Sequence, residues 1–338
     1  MNVTQRAFDR PRPNLDGKTI LITGGTGSFG KALLQRLLSE YDCARIVVFS
    51  RDEQKHVALS REIEAPEHVE IEFYIGDVRD LDRLQEAMAG VDYVVHAAAM
   101  KHIHLAEEHP SECINTNILG AMNVVKAAYA TGVSKVVALS TDKACSPVNL
   151  YGASKLAADK IFVAANQNKS RGKATFSVVR YGNVVGSVGS VIPFFRKLVA
   201  EGAEFIPITD ERMTRFWITM DQGVNLVLST LTMMRGAEIF VPKIPSMRIV
   251  DLAKAMAPDL PQRHVGIRPG EKLHEVMISS DDALYTYDAG DRYVILPNYS
   301  KQSLPPDIGQ PVEDSFTYSS DRNEEWFDIP EFLALIGH

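Results

Sequence analysis

The sequence predicts an α/β fold: a doubly wound parallel sheet with a smaller C-terminal substrate-binding domain. Two patterns predict it. From residue 19 to residue 180, short apolar runs alternate with amphipathic segments, as strands and covering helices do in a parallel sheet. Past Arg180 the alternation loosens, because Pro193, Pro207, Pro242, Pro245, Pro258, Pro261 and Pro269 divide the chain into short pieces.

Six strands are expected, at 19–23, 45–49, 69–74, 93–97, 135–140 and 176–180. Helices are expected after Ser28, after Asp52, after Asp80, over 111–131 and over 150–166. Residues 1–16 are polar, carry Pro11 and Pro13, and read as a flexible tail or a docking arm. Residues 17–182 form the expected sheet domain, and 183–338 mainly the second one. A helix near 223–234 and a strand at 239–241 are expected to return to the first sheet, and 302–311 reads as an exposed loop.

The 338 residues suffice for a full core. A net charge of −7 gives no global reason to expect nucleic acid or an anionic membrane, so an anionic ligand must meet local cations. Cys43, Cys113 and Cys145 have no metal-ligand spacing and suit a reducing compartment. His102, His104 and His109 are two and five apart, off a common helical face, and no metal is expected. No apolar run approaches the roughly 20 residues of a membrane span, and the expectation is a soluble cytoplasmic protein.

The run Thr23-Gly24-Gly25-Thr26-Gly27-Ser28-Phe29-Gly30 lies where the first strand meets the first helix. Glycines there permit a tight turn and let backbone N–H groups approach a pyrophosphate, the Rossmann arrangement for a dinucleotide. The second strand ends in Phe49-Ser50-Arg51, without the acid that favours NAD at this place. Ser50, Arg51 and Lys55 therefore point to the 2′-phosphate of NADP. Asp52 and Glu53, followed by Gln54, either join that site or cap the next helix. Asp77 and Val78 follow the third strand, where adenine is expected; Asp77 would accept from the adenine amino group or cap a helix. Ala97 opens a run of small residues after His96, and Lys101 brings a cation towards the site.

Thr141, Asp142 and Lys143 end the fifth strand, and Tyr151 and Lys155 follow. Residues four apart share a helical face, so Lys155 is expected to lower the Tyr151 phenol below its usual value near 10. Such a phenol can take a proton from a sugar hydroxyl while hydride leaves the same carbon.

These features resemble the extended short-chain dehydrogenase/reductase superfamily. Within it the chain is similar to the inverting UDP-N-acetylglucosamine 4,6-dehydratases, including those that open pseudaminic acid synthesis. The resemblance spans nearly the whole chain, through TGGTGSFGK, FSRDEQK, IGDVRD, HAAAMKH, ALSTDKA, NLYGASKLAADK, RYGNVVGS, PITDERMTRFWIT, IFVPKIPSM and GIRPGEKLHEVMI. It implies oxidation at C4 with Tyr151 taking the hydroxyl proton, loss of water across C5 and C6, and hydride return to C6. The product would be UDP-2-acetamido-2,6-dideoxy-β-L-arabino-hex-4-ulose, an early intermediate of bacterial surface polysaccharides. Retaining relatives typically carry Thr-Asp-Glu where this chain has Thr141-Asp142-Lys143. By resemblance Thr141 would bond the C4 oxygen, Asp142 would protonate the departing hydroxyl, and Lys143 would be the base at C5. A structural or anion-binding lysine is the other reading of Lys143.

By the same resemblance Asn183 would bind the sugar nucleotide, with Lys101 beside it and Val184 near the nicotinamide. Val191 and Thr209 would lie by the nucleotide, Arg268 by the diphosphate and Glu271 by the uridine ribose. Arg268 and Glu271 could instead form a surface ion pair. Arg215 is a second phosphate candidate, although Phe216, Trp217 and Ile218 beside it read as core. The resemblance also implies a homo-oligomer.

An unperturbed lysine near pKa 10.4 is only about 0.1% neutral at pH 7.4, a penalty of roughly 4 kcal/mol for a base. Burial, Lys101, Lys155 and the nicotinamide are expected to lower it, and Asp142 is expected to be raised. A UDP-sugar C4 epimerase needs Tyr151 and Lys155 but no C5 base, and a retaining dehydratase differs in product. A non-catalytic NADP-sensing protein is expected to lack Tyr-x-x-x-Lys or the Thr, and this chain keeps Tyr151, Lys155 and Thr141.

Overall fold

The computed structural model describes residues 6–167, 172–187, 189–298 and 308–336. The first half alternates as expected. Strands β1 (Thr19–Thr23), β2 (Arg45–Ser50), β3 (Glu70–Ile75), β4 (Tyr93–His96), β5 (Lys135–Thr141) and β6 (Thr175–Tyr181) are all present. Between them run helices α1 (Ser28–Glu40), α2 (Glu53–Glu62), α3 (Leu81–Ala87), α4 (Ile103–Glu108), α5 (Pro110–Ile114) and α6 (Gly120–Thr131), with α7 (Leu150–Ala165) leading to β6. The strands form because their β-branched and apolar residues are buried on both faces: Ile20 to Ile22, Ile46 to Val48 and Val136 to Ala138 are almost wholly enclosed. Asp52 and Asp80 start α2 and α3 by accepting the backbone N–H of Lys55 and Arg83.

The strands of the first half lie parallel in the order β3-β2-β1-β4-β5-β6. The order reverses between β1 and β4, and a crevice opens at the carboxyl ends there, which is where this topology binds ligands. Register fixes the floor of that crevice. Thr23 lies beside His96, and their side chains bond at 2.8 Å. Thr141 lies beside Tyr181 across β5 and β6.

The second half opens with β7 (Asn183–Val184), α8 (Val191–Ala200), β8 (Ile206–Ile208) and β9 (Thr214–Ile218). Helix α9 (Met220–Met233) then leads to β10 (Ile239–Pro242), which pairs parallel to β6. The expected return to the first sheet is thus present. Beyond it lie β11 (Ser246–Arg248), α10 (Ile249–Met256), β12 (Gln262–His264), β13 (Val276–Ile278) and α11 (Ser280–Ala283). Strands β14 (Thr286–Asp288), β15 (Arg292–Ile295) and β16 (Gln310–Pro311) extend the first sheet beyond β10 in antiparallel fashion, to ten strands. Finally β17 (Tyr318–Ser319) pairs with β13, and α12 (Ile329–Leu335) packs near the end of the chain. A separate apolar core joins Ile192, Phe195, Ile208, Trp217, Leu252 and Phe332.

Three expectations need correction. The expected helix over 111–131 contains a π-helical segment, Asn115–Leu119, between α5 and α6. Asn117 explains its position: its side chain accepts from Met100 N–H and donates to Met100 C=O and Ser154 Oγ. The wider turn coincides with that polar anchor, as π-helical turns often do with a tertiary or functional contact. The second correction concerns residues 6–16, which are packed rather than a loose tail. Phe8 and Leu15 enter the main core. Arg6 pairs bidentately with Glu325, and Gln222 Nε2 donates to Arg6 C=O. Thirdly, the end of the expected 302–311 loop is strand β16; residues 302–307 lie outside the described residues. No helix among the described residues is long and apolar enough to cross a membrane.

Phe8 tests the packed N-terminus. Replacing a buried phenylalanine by alanine removes apolar contact and leaves a void. Phe8→Ala is expected to destabilise the protein by about 3 kcal/mol, read as a lower midpoint in urea unfolding.

Candidate active site

A cleft of about 1330 Å³ opens at the carboxyl ends of β1, β4, β5 and β6. That exceeds the roughly 300–1,000 Å³ of a site for one small molecule, and is room for two ligands side by side. Its walls come from both halves of the chain.

The glycine turn is shaped for close approach. Gly24 has φ +68°, and a Cβ there would stand 2.8 Å from the Ala98 backbone nitrogen. At Gly30 a Cβ would be 2.4 Å from Gly25 Cα, so the start of α1 can lie against the turn only without a side chain. No side chain caps α1 and its first turn carries no acid. The uncapped N–H groups and the helix dipole suit a diphosphate. Gly24, Thr26, Gly27, Ser28, Phe29 and Gly30 all line the cleft.

Beyond that turn, Thr26 and Ser50 join their hydroxyls at 2.8 Å. Arg51 is exposed, its guanidinium 3.8 Å from Asp77. Lys55 lies 3.2 Å from Asp52, whose other oxygen caps α2. Ser50, Arg51, Asp52 and Lys55 line the cleft, whereas Glu53 and Gln54 on the first turn of α2 do not. Asp77 is not a helix cap; Asp80 is. Asp77 instead accepts from the backbone and guanidinium of Arg79. Burial alone would raise its pKa, but Arg79 outweighs burial and holds the carboxyl below its ordinary value. Val78, Ala97 and Lys101 complete this wall, and burial lowers the Lys101 pKa.

The residues after β5 make a compact acid–base cluster. Thr141 Oγ1 donates to Asp142 Oδ1 at 2.8 Å, and Lys143 Nζ reaches the same oxygen at 3.0 Å. A three-residue 3₁₀ turn, Asp142–Ala144, carries both charged groups back beneath the cleft. Asp142 is fully buried, and its Oδ2 makes no hydrogen bond within the protein. Lys143 keeps 22% of its side-chain exposure and lines the cleft. Its Nζ is also 3.2 Å from Glu275 Oε1. Sequence reasoning gave Glu275 no role. It was visible only inside the GIRPGEKLHEVMI stretch, with no spacing to tie it to Lys143.

Glu275 reverses one expectation. Burial pushes the Lys143 ammonium towards lower pKa, but Asp142 and Glu275 outweigh it, and the net direction is up. Asp142 is raised as expected, first by burial and then by Glu275 against the pull of Lys143.

Tyr151 also differs from expectation. Burial pushes its phenol up to about 12, while Lys143 and a hydrogen bond with Thr141 pull the other way. Lys155 lies four residues on and donates to Leu139 C=O at 2.7 Å. Burial lowers the Lys155 pKa against the pull of Asp159. Desolvation dominates both groups, which residue spacing alone does not reveal. Tyr151 and Lys155 nevertheless face the same cleft.

The opposite wall brings Asn183, Val184, Val191, Thr209, Arg268 and Glu271 together, although 88 residues separate the first from the last. Arg268 is mostly exposed and 3.7 Å from Glu271, a loose pair that leaves its guanidinium accessible. Glu271 Oε2 is buried without a hydrogen bond. Asn149, the cap of α7, donates to Gly270 C=O at 2.7 Å and so ties this loop to the helix of Tyr151. Arg215 lines the cleft but is already engaged within the protein. Its guanidinium donates to the carbonyls of Thr214, Lys272 and Leu273 and lies 3.7 Å from Glu275. His102 and His109 line the cleft, but among the described residues no group of His, Cys, Asp or Glu is arranged to hold a metal.

Residues 20–297 match a protein family described as polysaccharide biosynthesis protein. The chain belongs to that family. Among its relatives, an inverting UDP-N-acetylglucosamine 4,6-dehydratase of Campylobacter jejuni is 54% identical over 329 residues, covering 95% of this chain and 98% of the relative. A UDP-glucose 4-epimerase of Rickettsia typhi is 44% identical over 333 residues, covering 95% and 96%. The crystal structure of Pen from Bacillus thuringiensis superposes with a TM-score of 0.87 at 35% identity, covering 95% of this chain and 98% of that one. A dTDP-glucose 4,6-dehydratase of Streptomyces venezuelae shares the fold, with a TM-score of 0.67 over 75% of this chain and 86% of its own.

Gly24→Ala tests the turn of this family member. The added methyl meets backbone, and the left-handed conformation disfavours it by about 1–2 kcal/mol. Dinucleotide binding is expected to weaken about tenfold or more, by isothermal titration.

Proposed function

We propose that the chain is an inverting UDP-N-acetylglucosamine 4,6-dehydratase, a hydro-lyase that uses NADP. The observation that supports it most is the Asp142–Lys143 pair, a buried acid joined to a basic group that faces the cleft. The Campylobacter dehydratase, similar over nearly the whole chain, supports the same reading.

The residues fit a nicotinamide dinucleotide: the glycine turn and uncapped α1 would hold its diphosphate, and Tyr151 with Lys155 its nicotinamide end. When bound, the nicotinamide supplies reversible hydride transfer and a positive charge beside Tyr151. Ser50, Arg51 and Lys55 line the cleft and support NADP, the two cations exchanging their pairs with Asp77 and Asp52 for a 2′-phosphate.

Each side chain then has one task. Tyr151, its phenolate favoured against burial by Lys143 and by the charge a bound nicotinamide would supply, accepts the proton of the sugar C4 hydroxyl, and Thr141 steadies that oxygen. The resulting 4-keto group acidifies the C5 proton, which Lys143 removes. Asp142, raised by burial, donates to the C6 oxygen as it leaves as water. Asn183, Val191, Thr209, Arg268 and Glu271 hold the UDP portion, with Arg268 facing the diphosphate and Glu271 the ribose. Lys101 stands at the junction of the two ligands. Return of the hydride to C6, with a solvent-derived proton added to C5 from the opposite face, gives the L-arabino product. We place the enzyme in the cytoplasm, where such charged water-soluble ligands are found, and expect it to self-associate as members of the superfamily do.

Proton NMR of UDP-N-acetylglucosamine with the protein in deuterated buffer tests this directly. The expected product is a 4-keto-6-deoxy sugar with the L-arabino ring and deuterium at C5. An initial D-xylo ring would make the enzyme retaining, and UDP-N-acetylgalactosamine would make it an epimerase. Lys143→Ala is expected to lower turnover at least 100-fold.

The NADP reading has its own test. Arg51→Ala is expected to weaken NADP binding about tenfold, by loss of a charge-assisted contact, and to leave NAD almost unchanged in fluorescence titration.

A further inference from the structure

Glu275 is 1% exposed, and three cations converge on it. Lys143 Nζ is 3.2 Å from Oε1, Arg215 Nε is 3.7 Å from Oε1, and Lys272 Nζ is 3.8 Å from Oε2. Its backbone N–H donates to Ser320 Oγ at 2.9 Å, which fixes the start of β13 against the turn after β17. Oε2 is buried and makes no hydrogen bond within the protein. A carboxylate this deep remains ionised only because its cations replace lost hydration. The cations are themselves held in place: Arg215 by three backbone carbonyls and Lys272 by Cys145 C=O at 2.6 Å.

We propose that Glu275 is a positioning residue that holds Lys143 between two carboxylates and sets the pH at which the Asp142–Lys143 pair works. The proposal rests on the dehydratase reading above. Elimination needs a neutral amine at C5 and a protonated acid at C6. A single proton moved from Lys143 Nζ to Asp142 Oδ1, along their 3.0 Å hydrogen bond, creates both at once. The C5–H bond then breaks and its proton passes to Nζ. The electron pair becomes the C5=C6 bond as the C6–O bond breaks, and the Asp142 proton leaves in the water. The pair is left as carboxylate and ammonium, in its starting charge state. Glu275 keeps Nζ aligned throughout, and being anionic it favours a proton on both partners.

The groups facing this cluster are few. Asp142 lies on the 3₁₀ turn, Tyr151 on α7, Arg215 on β9 and Lys272 in the loop before β13. His274, next in sequence to Glu275, is engaged with Thr214 Oγ1 at 2.8 Å. Removing the Glu275 charge therefore leaves Lys143 and Asp142 facing a more positive surrounding, and both release protons more readily.

The experiment is the pH dependence of turnover and of C5 deuterium uptake for holoenzyme carrying Glu275→Gln, followed by NMR. The expected result is a fall in kcat of about tenfold with KM nearly unchanged, and both limbs of the profile displaced about one unit to lower pH. Glu275→Asp is expected to restore the position of the profile. Lys272→Met, which removes a cation from the same cluster, is expected to displace the profile the other way, and it reads the coupling even if Glu275→Gln does not fold. Unmoved profiles in the variants that fold would overturn the proposal and leave Glu275 a structural ion pair. A wild-type protein that forms no 4-keto sugar at any pH would instead overturn the dehydratase reading.

Discussion

The structure depends on one constraint: a lysine must be held in place at the edge of a buried carboxylate. Asp142 is wholly enclosed, and an isolated carboxylate there would be neutral. Lys143 gives it an opposite charge at 3.0 Å, and Glu275, Arg215 and Lys272 extend the alternation of sign into the second half. Pairs of this kind contribute little net stability, because desolvation offsets most of the attraction. Their effect is to fix protonation and geometry. Strand β5 delivers Asp142 and Lys143, while β9 and the approach to β13 deliver the counter-charges, so the acid–base cluster exists only when both halves are folded together.

The same cleft shows how burial and charge compete. Tyr151 is pushed up by desolvation although two lysines stand nearby, whereas Lys143 moves up because two carboxylates overcome desolvation. Spacing alone could indicate neither outcome. A four-residue interval states that two side chains share a helix face, but it does not say how much water remains or what approaches from another element.

Much of the fold was legible. The strand at 19–23 and the start of α7 at Leu150 fall where the alternation of apolar runs and amphipathic segments places them. Asp52 and Asp80 mark helix starts by their own chemistry. The return of β10 to the first sheet was legible too, since an apolar strand follows a long amphipathic helix. What was missed has specific causes. Phe8 and Leu15 are isolated apolar residues among polar ones, and no periodicity marks them as core. The π-helical turn at Asn115–Leu119 arises from a tertiary anchor through Asn117, not from local propensity. Of the site residues, the β1, β2 and β5 groups were placed by motif, and those from Asn183 to Glu271 by resemblance. Glu275 escaped because it meets Lys143 across 132 residues of chain.

The path of the chain has a consequence for how such proteins diversify. After β6 the polypeptide enters the smaller half, returns as β10, leaves again, and returns as β14, β15 and β16. Residues 6–16 add another tie, through Arg6 to Glu325. The two halves are therefore sewn together rather than joined at one seam. No single cut would release the second half as a cassette for grafting onto another sheet. A differently shaped cleft is reached by altering individual loop positions, with the cluster of Asp142, Lys143 and Glu275 carried along unchanged.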